Sequence, residues 1–166
     1  MAHYTLHDFG QLLGCDLALA RDLVAAGTGD NSEVNGNTID RYVNDTDGSD
    51  GVFESVVFAI TARAVLTDKK SLTLKATLQE SADASSWADV AASLQPEGAA
   101  DSTILTLTSS GGTTETGIYK LEVNCASLER YVRIQVHADL NAGSADVADV
   151  HAVAIKGGGT ALPSED

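Results

Sequence analysis

The chain has 166 residues and a mass of 17.2 kDa, a length that predicts a single domain. It has 10 Lys and Arg against 24 Asp and Glu, so its net charge is −14. This acidity argues against binding to nucleic acid and against docking on an anionic membrane, because both need clustered basic residues.

Apolar runs along the chain are short. The longest have about five residues, against the roughly 20 that a membrane-spanning helix needs. The first residues lack the basic start and apolar stretch of a signal peptide. We therefore expect a protein made in a cytoplasm. In that compartment Cys15 and Cys125 are predicted to be buried thiols and not a disulfide.

Residues 1–51 are predicted to form an N-terminal arm and loops. The leucines of Leu12–Ala26 fit a short helix with Asp16 as N-cap, and they fit an extended arm equally well, so both alternatives stay open. Residues 27–51 are rich in Gly, Asn, Asp, Ser and Thr, which compete with regular structure through local hydrogen bonds. One short strand is predicted within them, over Thr38–Val43.

Residues 52–159 alternate apolar and polar side chains, the pattern of half-buried strands. The run 56–66, a turn at 67–70 and the run 72–79 predict a hairpin, and further strands follow at 103–108, 119–125, 131–138 and 147–156. Gly157–Gly159 ends the last strand, and residues 160–166 are predicted to be a flexible tail. The predicted fold is all-β, an antiparallel sandwich or jelly roll with an extended N-terminal arm.

Metal-binding and catalytic motifs are weak in this sequence. Asp45, Asp47 and Asp50 are the one candidate for a calcium loop, but the glycine and glutamate that such a loop needs at its sixth and twelfth positions are missing. The segment is therefore interpreted as a solvated acidic turn. No serine lies in a Gly-x-Ser-x-Gly elbow, and we expect neither a cofactor nor an enzyme.

The four histidines form two pairs. His3 and His7 have helical spacing but no Cys or Glu partner at zinc-like spacing, so they are interpreted as surface or packing residues. His137 and His151 lie in adjacent predicted strands and could face each other across a sheet or an interface, where protonation would add like charge.

Three segments carry a resemblance to a known class of proteins. They are SLTLKATLQESADASSWADV at 71–90, ERYVRIQV at 129–136, and VAIKGGG at 153–159 followed by Pro163. This order of a strand, a Gln-x-Ser-x-Asp loop with Trp, an Arg-Tyr-Val-Arg strand and a Gly-rich end is similar to capsid decoration or cement proteins of tailed bacteriophages. The resemblance covers residues 52–163 and includes no reactive centre.

The resemblance implies a β-sandwich that binds the outer surface of a capsid and holds neighbouring capsomers together. Its partners would be the major capsid protein and further copies of the chain, as a dimer or trimer, on the exterior of the virion. The arm of residues 1–51 would order on assembly. The interface candidates are arginines and aromatic residues: Arg41, Tyr42, Trp87, Arg130, Tyr131 and Arg133.

Two alternatives remain open at this point. One is another virion component, such as a head–tail joining or tail protein. The other is a module that binds a glycan or a host surface through the rings of Trp87, Tyr119 and Tyr131. Trp87 is itself interpreted as packing at the edge of the sandwich, because it follows a polar loop and precedes Val90.

Overall fold

The structure, a computed structural model, describes residues 13–43, 51–99, 102–141 and 145–159. Eleven strands lie in these ranges and no helix does. The strands are β1 (Gly14–Val24), β2 (Ser32–Asn35), β3 (Ile39–Asp40), β4 (Tyr42–Val43), β5 (Gly51–Val65), β6 (Ser71–Ser81), β7 (Ala88–Asp89), β8 (Thr103–Thr108), β9 (Thr114–Asn124), β10 (Tyr131–Asn141) and β11 (Val147–Gly159).

The strands form two antiparallel sheets. The first sheet has the order β1-β11-β5-β9, with β4 paired to the start of β5. The second sheet has the order β2-β10-β6-β7, with β3 paired to β10 and β8 paired to β6. The predicted all-β antiparallel sandwich is confirmed, and its chain crosses repeatedly from one sheet to the other.

The core lies between the two sheets because alternate residues of each long strand point inward. From Leu72 to Leu78 in β6 and from Val132 to Leu140 in β10 the inward positions are all aliphatic and buried, whereas the residues between them are polar and half-exposed. Burying an aliphatic side chain contributes about 1.5–3 kcal/mol, so this alternation drives the packing. The largest fully buried side chains are Phe58, Leu23, Ile39, Ile60, Leu72, Leu74, Leu78, Leu121 and Ile134.

The predicted hairpin between residues 56–66 and 72–79 is wrong. β5 pairs with β11 and β9 in the first sheet, whereas β6 pairs with β10, β7 and β8 in the second. The turn at 67–70 therefore carries the chain across the sandwich. The buried Asp146 holds this crossing, because its carboxylate accepts hydrogen bonds from the Thr67 amide at 3.0 Å and the Thr67 hydroxyl at 3.1 Å.

Residues 14–24, left open between a helix and an extended arm, form the edge strand β1 of the first sheet. The register shifts between Leu17 and Leu19, and this bulge lets the consecutive residues Ala18 and Leu19 both point into the core. Residues 1–51, predicted to be an arm and loops, thus contribute a full strand and core side chains. The first 12 residues lie outside the described part of the chain.

Arg21 and residues 36–37 connect β1 to the second sheet. The buried Arg21 guanidinium donates to the Val136 carbonyl at 2.9 Å and the Ser32 carbonyl at 3.0 Å. The Gly36 amide donates to the Ile134 carbonyl at 2.8 Å, and the Asn37 amide donates to the Ala18 carbonyl at 2.7 Å. These bonds close one side of the sandwich.

The two cysteines are both free, as predicted, but only one is buried. Cys125 is fully buried, and burial raises its thiol pKa to about 11 despite the opposing charge of Arg41. Cys15 is exposed, contrary to the prediction, because it lies on the outward-facing side of β1. No helix in the described ranges is long and apolar enough to cross a membrane.

Candidate functional site

Arg130 lies between two tyrosine rings at one end of the second sheet. Its guanidinium carbon is 4.6 Å from the centre of the Tyr42 ring and 4.9 Å from the centre of the Tyr131 ring. Tyr131 begins β10, and Tyr42 lies in β4 after the short strand β3, which pairs with β10. The pairing of β3 with β10 therefore brings both rings into contact with one cation.

Asp40 orients Arg130. Its carboxylate accepts two hydrogen bonds from the guanidinium, from Nε at 3.0 Å and Nη2 at 2.7 Å, and a third from the Tyr42 amide at 2.9 Å. Burial alone would raise the Asp40 pKa, but these bonds and the charges of Arg130 and Lys156 together hold it below its usual value. The bidentate pair gives Arg130 one defined orientation.

A second stacked pair lies beside the first. The Arg133 guanidinium is 4.1 Å from the centre of the Trp87 ring, and its Nε donates to Gln79 Oε1 at 2.8 Å. Arg133 and Tyr131 are two residues apart on β10, so their side chains point to the same face. Partial burial lowers the Arg133 pKa, and no salt bridge to Arg133 occurs among the described residues.

The loop before Trp87 is ordered by Asp83. Its carboxylate accepts hydrogen bonds from the Ser86 amide at 2.8 Å, the Ser85 amide at 2.9 Å and the Ser81 hydroxyl at 3.0 Å. These bonds hold the Asp83 pKa far below its usual value. The Trp87 indole donates to the Ala84 carbonyl at 3.2 Å. Trp87 is half-buried and lies at the sheet edge, directly before β7. The position at the sheet edge agrees with the interpretation of Trp87 from the sequence.

Five of the six interface candidates therefore form one surface, which we call the arginine–aromatic surface: Tyr42, Trp87, Arg130, Tyr131 and Arg133. Sequence reasoning missed Asp40 and Gln79, which support this surface. Gln79 is buried although it lies on the outward row of β6, and it donates through Nε2 to Asp89 Oδ1 at 2.8 Å. The only sequence signal for Gln79 is its place in the Gln-x-Ser-x-Asp motif of the resemblance.

Arg41, the sixth candidate, is not part of this surface. It is 3% exposed, and its guanidinium donates to the carbonyls of Leu128, Glu129 and Phe53. Its side chain is used within the sandwich, where it joins the loop before β10 to β5, and it is not available to a partner.

Asp45, Asp47 and Asp50 and the pair His3 and His7 are outside the described residues. The expectation that His137 and His151 meet within a sheet is wrong, because β10 and β11 belong to different sheets. In the described ranges no group of three or more His, Cys, Asp or Glu is placed to hold a metal ion.

The three rings of the glycan alternative do not form one platform. Tyr119 lies on β9 in the first sheet, packs against the core and donates its hydroxyl to the Glu97 carbonyl at 3.1 Å. Trp87 and Tyr131 belong to the second sheet, and an arginine already stacks on each ring. The arrangement is better suited to a protein partner, since Trp, Tyr and Arg are the residues most enriched at the energetic centres of protein interfaces.

Comparisons with known proteins give only distant likenesses. No protein-family model matches the chain, and no curated protein matches it. Among solved structures, the chain is similar to one in infectious bursal disease virus, Gx strain, at TM-score 0.41 and 9% identity, covering 87% of this chain and 32% of that one. It is also similar to a chain of deformed wing virus carrying the GFP gene, at TM-score 0.38 and 8% identity, covering 92% and 47%.

A third likeness is to a chain of the Kashmir bee virus empty particle at acidic pH, at TM-score 0.33 and 12% identity, covering 91% of this chain and 94% of that one. The chain spans about a third of the first of these proteins and about half of the second. All three TM-scores are below 0.5.

Proposed function

We propose that the chain is a structural protein of a virion, a decoration or cement protein that binds the outer surface of a tailed-phage capsid and strengthens the contacts between capsomers. Its role is binding and not catalysis. The partner is the major capsid protein, and the contact is made through the arginine–aromatic surface.

One observation carries this proposal. The segments 71–90 and 129–136, which carry the sequence resemblance, are far apart in the chain but form one continuous surface through the pairing of β6 with β10. The rings and guanidiniums of that surface come from these segments and from Tyr42. A motif whose separate parts meet at one exposed site is what a shared binding function requires.

The chemistry of the surface indicates an acidic or carbonyl-rich patch on the partner. Arg133 stacks on Trp87 and, within the described ranges, bonds only to the neutral Gln79, so its remaining donors are available for an incoming carboxylate or carbonyl. Stacking holds the guanidinium in place before binding, which reduces the conformational entropy lost on contact. The net charge of −14 supports an external position, because the packaged DNA inside a capsid is also strongly negative.

The test is particle binding with variants of the surface. We expect the wild-type chain to be found by mass spectrometry in purified particles, and cryo-electron microscopy to locate it over the capsomer contacts. Arg133→Ala and Trp87→Ala should each weaken binding to particles that lack the chain by about tenfold or more, the usual loss at an energetic centre of an interface.

Lys69→Ala is the matched control, because it removes the same charge as Arg133→Ala from an exposed turn. The control should bind as the wild type does. Absence of the chain from purified particles would contradict the proposal, and density at the head–tail junction would favour the alternative of a joining protein.

A further inference from the structure

The outer face of the first sheet is unusually apolar. Eight large hydrophobic side chains are exposed among the described residues, and five of them project from this one face. They are Leu17, Val24, Val65, Ile118 and Val147. The register makes them neighbours: Val24, Val147 and Val65 form one row across β1, β11 and β5, and Leu17 lies beside the half-buried Val153 in another.

The outer face of the second sheet shows the opposite composition. Its outward row on β6 is Ser71, Thr73, Lys75, Thr77 and Gln79, and its outward row on β10 is Tyr131, Arg133, Gln135, His137, Asp139 and Asn141. One face of the sandwich is thus polar and the other apolar. Contiguous apolar faces of this kind mark interaction sites in soluble proteins.

The charge on the apolar face makes a second copy of the chain the fitting occupant. The chain as a whole carries −14, so two copies repel each other over most of their surfaces. From the row across the sheet that contains Cys15 to the row that contains Val24, the outward-facing charged residues are three acidic and two basic. They are Asp22, Asp149, Glu122, Arg63 and Lys120, so this face is close to neutral. Two acidic chains can approach most closely where each is least acidic.

The register also gives the face a complementary arrangement with itself. Arg63 and Asp149 lie opposite each other on the two central strands, β5 and β11, and so do Val65 and Val147. A two-fold axis along the strands, between β5 and β11, would set Arg63 of each copy against Asp149 of the other. The same axis would set Val65 against Val147. The ion pair within one chain is loose, at 3.4 Å with both side chains more than two-fifths exposed, so both groups are available.

The size of the face is sufficient for a dimer. Four strands at a spacing of about 4.8 Å, each with about 11 residues at about 3.3 Å, cover roughly 700 Å². A stable interface buries about 600–1,000 Å² on each partner, a range that includes this area.

We propose that two copies of this chain pack face to face through the outer face of the first sheet, around a two-fold axis parallel to its strands, with Arg63 of each copy paired to Asp149 of the other. The inference goes beyond the proposed function and does not depend on it. The arginine–aromatic surface belongs to the other sheet and stays exposed in such a dimer, which would therefore present two copies of that surface.

The test is sedimentation velocity of the purified full-length chain over about 1 to 100 μM, the range in which a moderate dimer dissociates. The wild type should change from monomer to dimer. Val147→Lys places a charge in the apolar row and should raise the dissociation constant by about tenfold or more. Thr106→Lys, an exposed position on β8 of the second sheet, adds the same charge and should leave the dissociation constant unchanged.

A charge-reversal pair tests the arrangement itself. Arg63→Asp alone and Asp149→Arg alone should each weaken self-association, because each sets like charges against each other across the axis. A one-to-one mixture should restore dimers, since each variant then meets its complement. Both positions are exposed, so both variants should keep the wild-type circular dichroism spectrum.

Three results would overturn the proposal: a wild type that stays monomeric at the highest concentration, equal effects of Val147→Lys and Thr106→Lys, or a mixture that does not dimerise. A monomeric wild type whose particle binding is lost in Val147→Lys would instead assign the face to another protein.

Discussion

Arg41 shows how an arginine that resembles an interface residue in the sequence can be used inside the fold. Its guanidinium has five N–H donors in a planar arrangement, and it distributes them over carbonyls of the loop before β10 and of β5. A lysine could not reach all three carbonyls with one geometry. Arg41 therefore donates to main-chain carbonyls at a place where no strand pairing connects the loop before β10 to β5.

Replacing Arg41 tests this role. Arg41→Met keeps the buried aliphatic stem but removes the donors that Arg41 supplies to the carbonyls of Phe53, Leu128 and Glu129. We expect the free energy of unfolding, measured by urea denaturation, to fall by about 3 kcal/mol. Lys69→Gln is the control, because Lys69 lies in an exposed turn away from the outer face of the first sheet, and this change should alter stability by less than about 0.5 kcal/mol. Equal stability of the two variants would show that water replaces the lost donors.

At this scale the sequence predicts residue types better than their surroundings. Tyr42, Trp87, Arg130, Tyr131 and Arg133 could be selected because rings and arginines recur at interfaces. The burial of Arg41 could not, since it depends on where β5 and the loop before β10 meet, and those segments are far apart in the chain. The role of Gln79 could not be predicted for the same reason, because it depends on the pairing of Gln79 with Arg133 on β10 and with Asp89 on β7.

Strands are the level at which alternation is most informative. The period of two predicts β6 and β10 because each has one buried face and one solvated face. Alternation reports which way a side chain points, but not which strand lies beside it. A four-residue turn at 67–70 is compatible with a hairpin and with a crossing between sheets, so the predicted hairpin was wrong although both strands exist.

The strand β1 was ambiguous for a different reason. Its bulge places Ala18 and Leu19 on the same side and interrupts the alternation, so leucines at mixed spacings fit a helix as well as a strand. The apolar outer face had a visible signal, because β11 has Val153 and Ile155 on the side opposite its buried alanines. A strand that is apolar on both sides indicates a second contact surface.

Gly36 offers a test of the connection between β1 and the second sheet. A Cβ at this position would lie 2.5 Å from the Ala18 carbonyl oxygen and 2.8 Å from the Ile134 carbonyl oxygen, both main-chain atoms that cannot move alone. Gly36→Ala should therefore separate β1 from β10 and lower the free energy of unfolding by about 2–3 kcal/mol. Hydrogen exchange should show faster exchange at the Gly36 and Asn37 positions.

Gly27→Ala is the matched control for Gly36. Its added Cβ would meet no atom closer than 3.4 Å, so stability should change by less than about 0.5 kcal/mol. A Gly36→Ala variant as stable as this control would mean that β1 does not depend on the crossing bonds of residues 36 and 37.

The whole molecule combines a strong negative charge with two outer faces of different character. A polar face with the arginine–aromatic surface and an apolar face lie on opposite sides of the sandwich. A protein built in this way can contact two partners at once. If one partner is a capsid and the other a second copy, each dimer would connect two capsid sites, which increases binding through the effective concentration of the second contact.

The net charge makes self-association depend on salt in a definite direction. Two chains of −14 repel each other over a range set by the Debye length, about 30 Å at 0.01 M salt and about 8 Å at 0.15 M. The proposed contact contains two ion pairs, but many more like charges lie outside it. Added salt should therefore weaken the repulsion between the chains more than it weakens the attraction of the ion pairs. The association constant of the dimer, measured by sedimentation velocity, should rise about tenfold or more from 0.02 to 0.3 M NaCl.

Dimers that weaken steadily as salt rises would contradict this prediction, because attraction between the Arg63 and Asp149 pairs would then exceed the repulsion of the whole chains. The charge-neutral variant Val147→Ala separates the two contributions. It reduces apolar contact without changing any charge, so its dimer should be weaker at every salt concentration while the slope with salt stays that of the wild type. If the dependence of the Val147→Ala dimer on salt differed from that of the wild type, the acidic surfaces of the two copies would not lie at the separation that face-to-face packing gives.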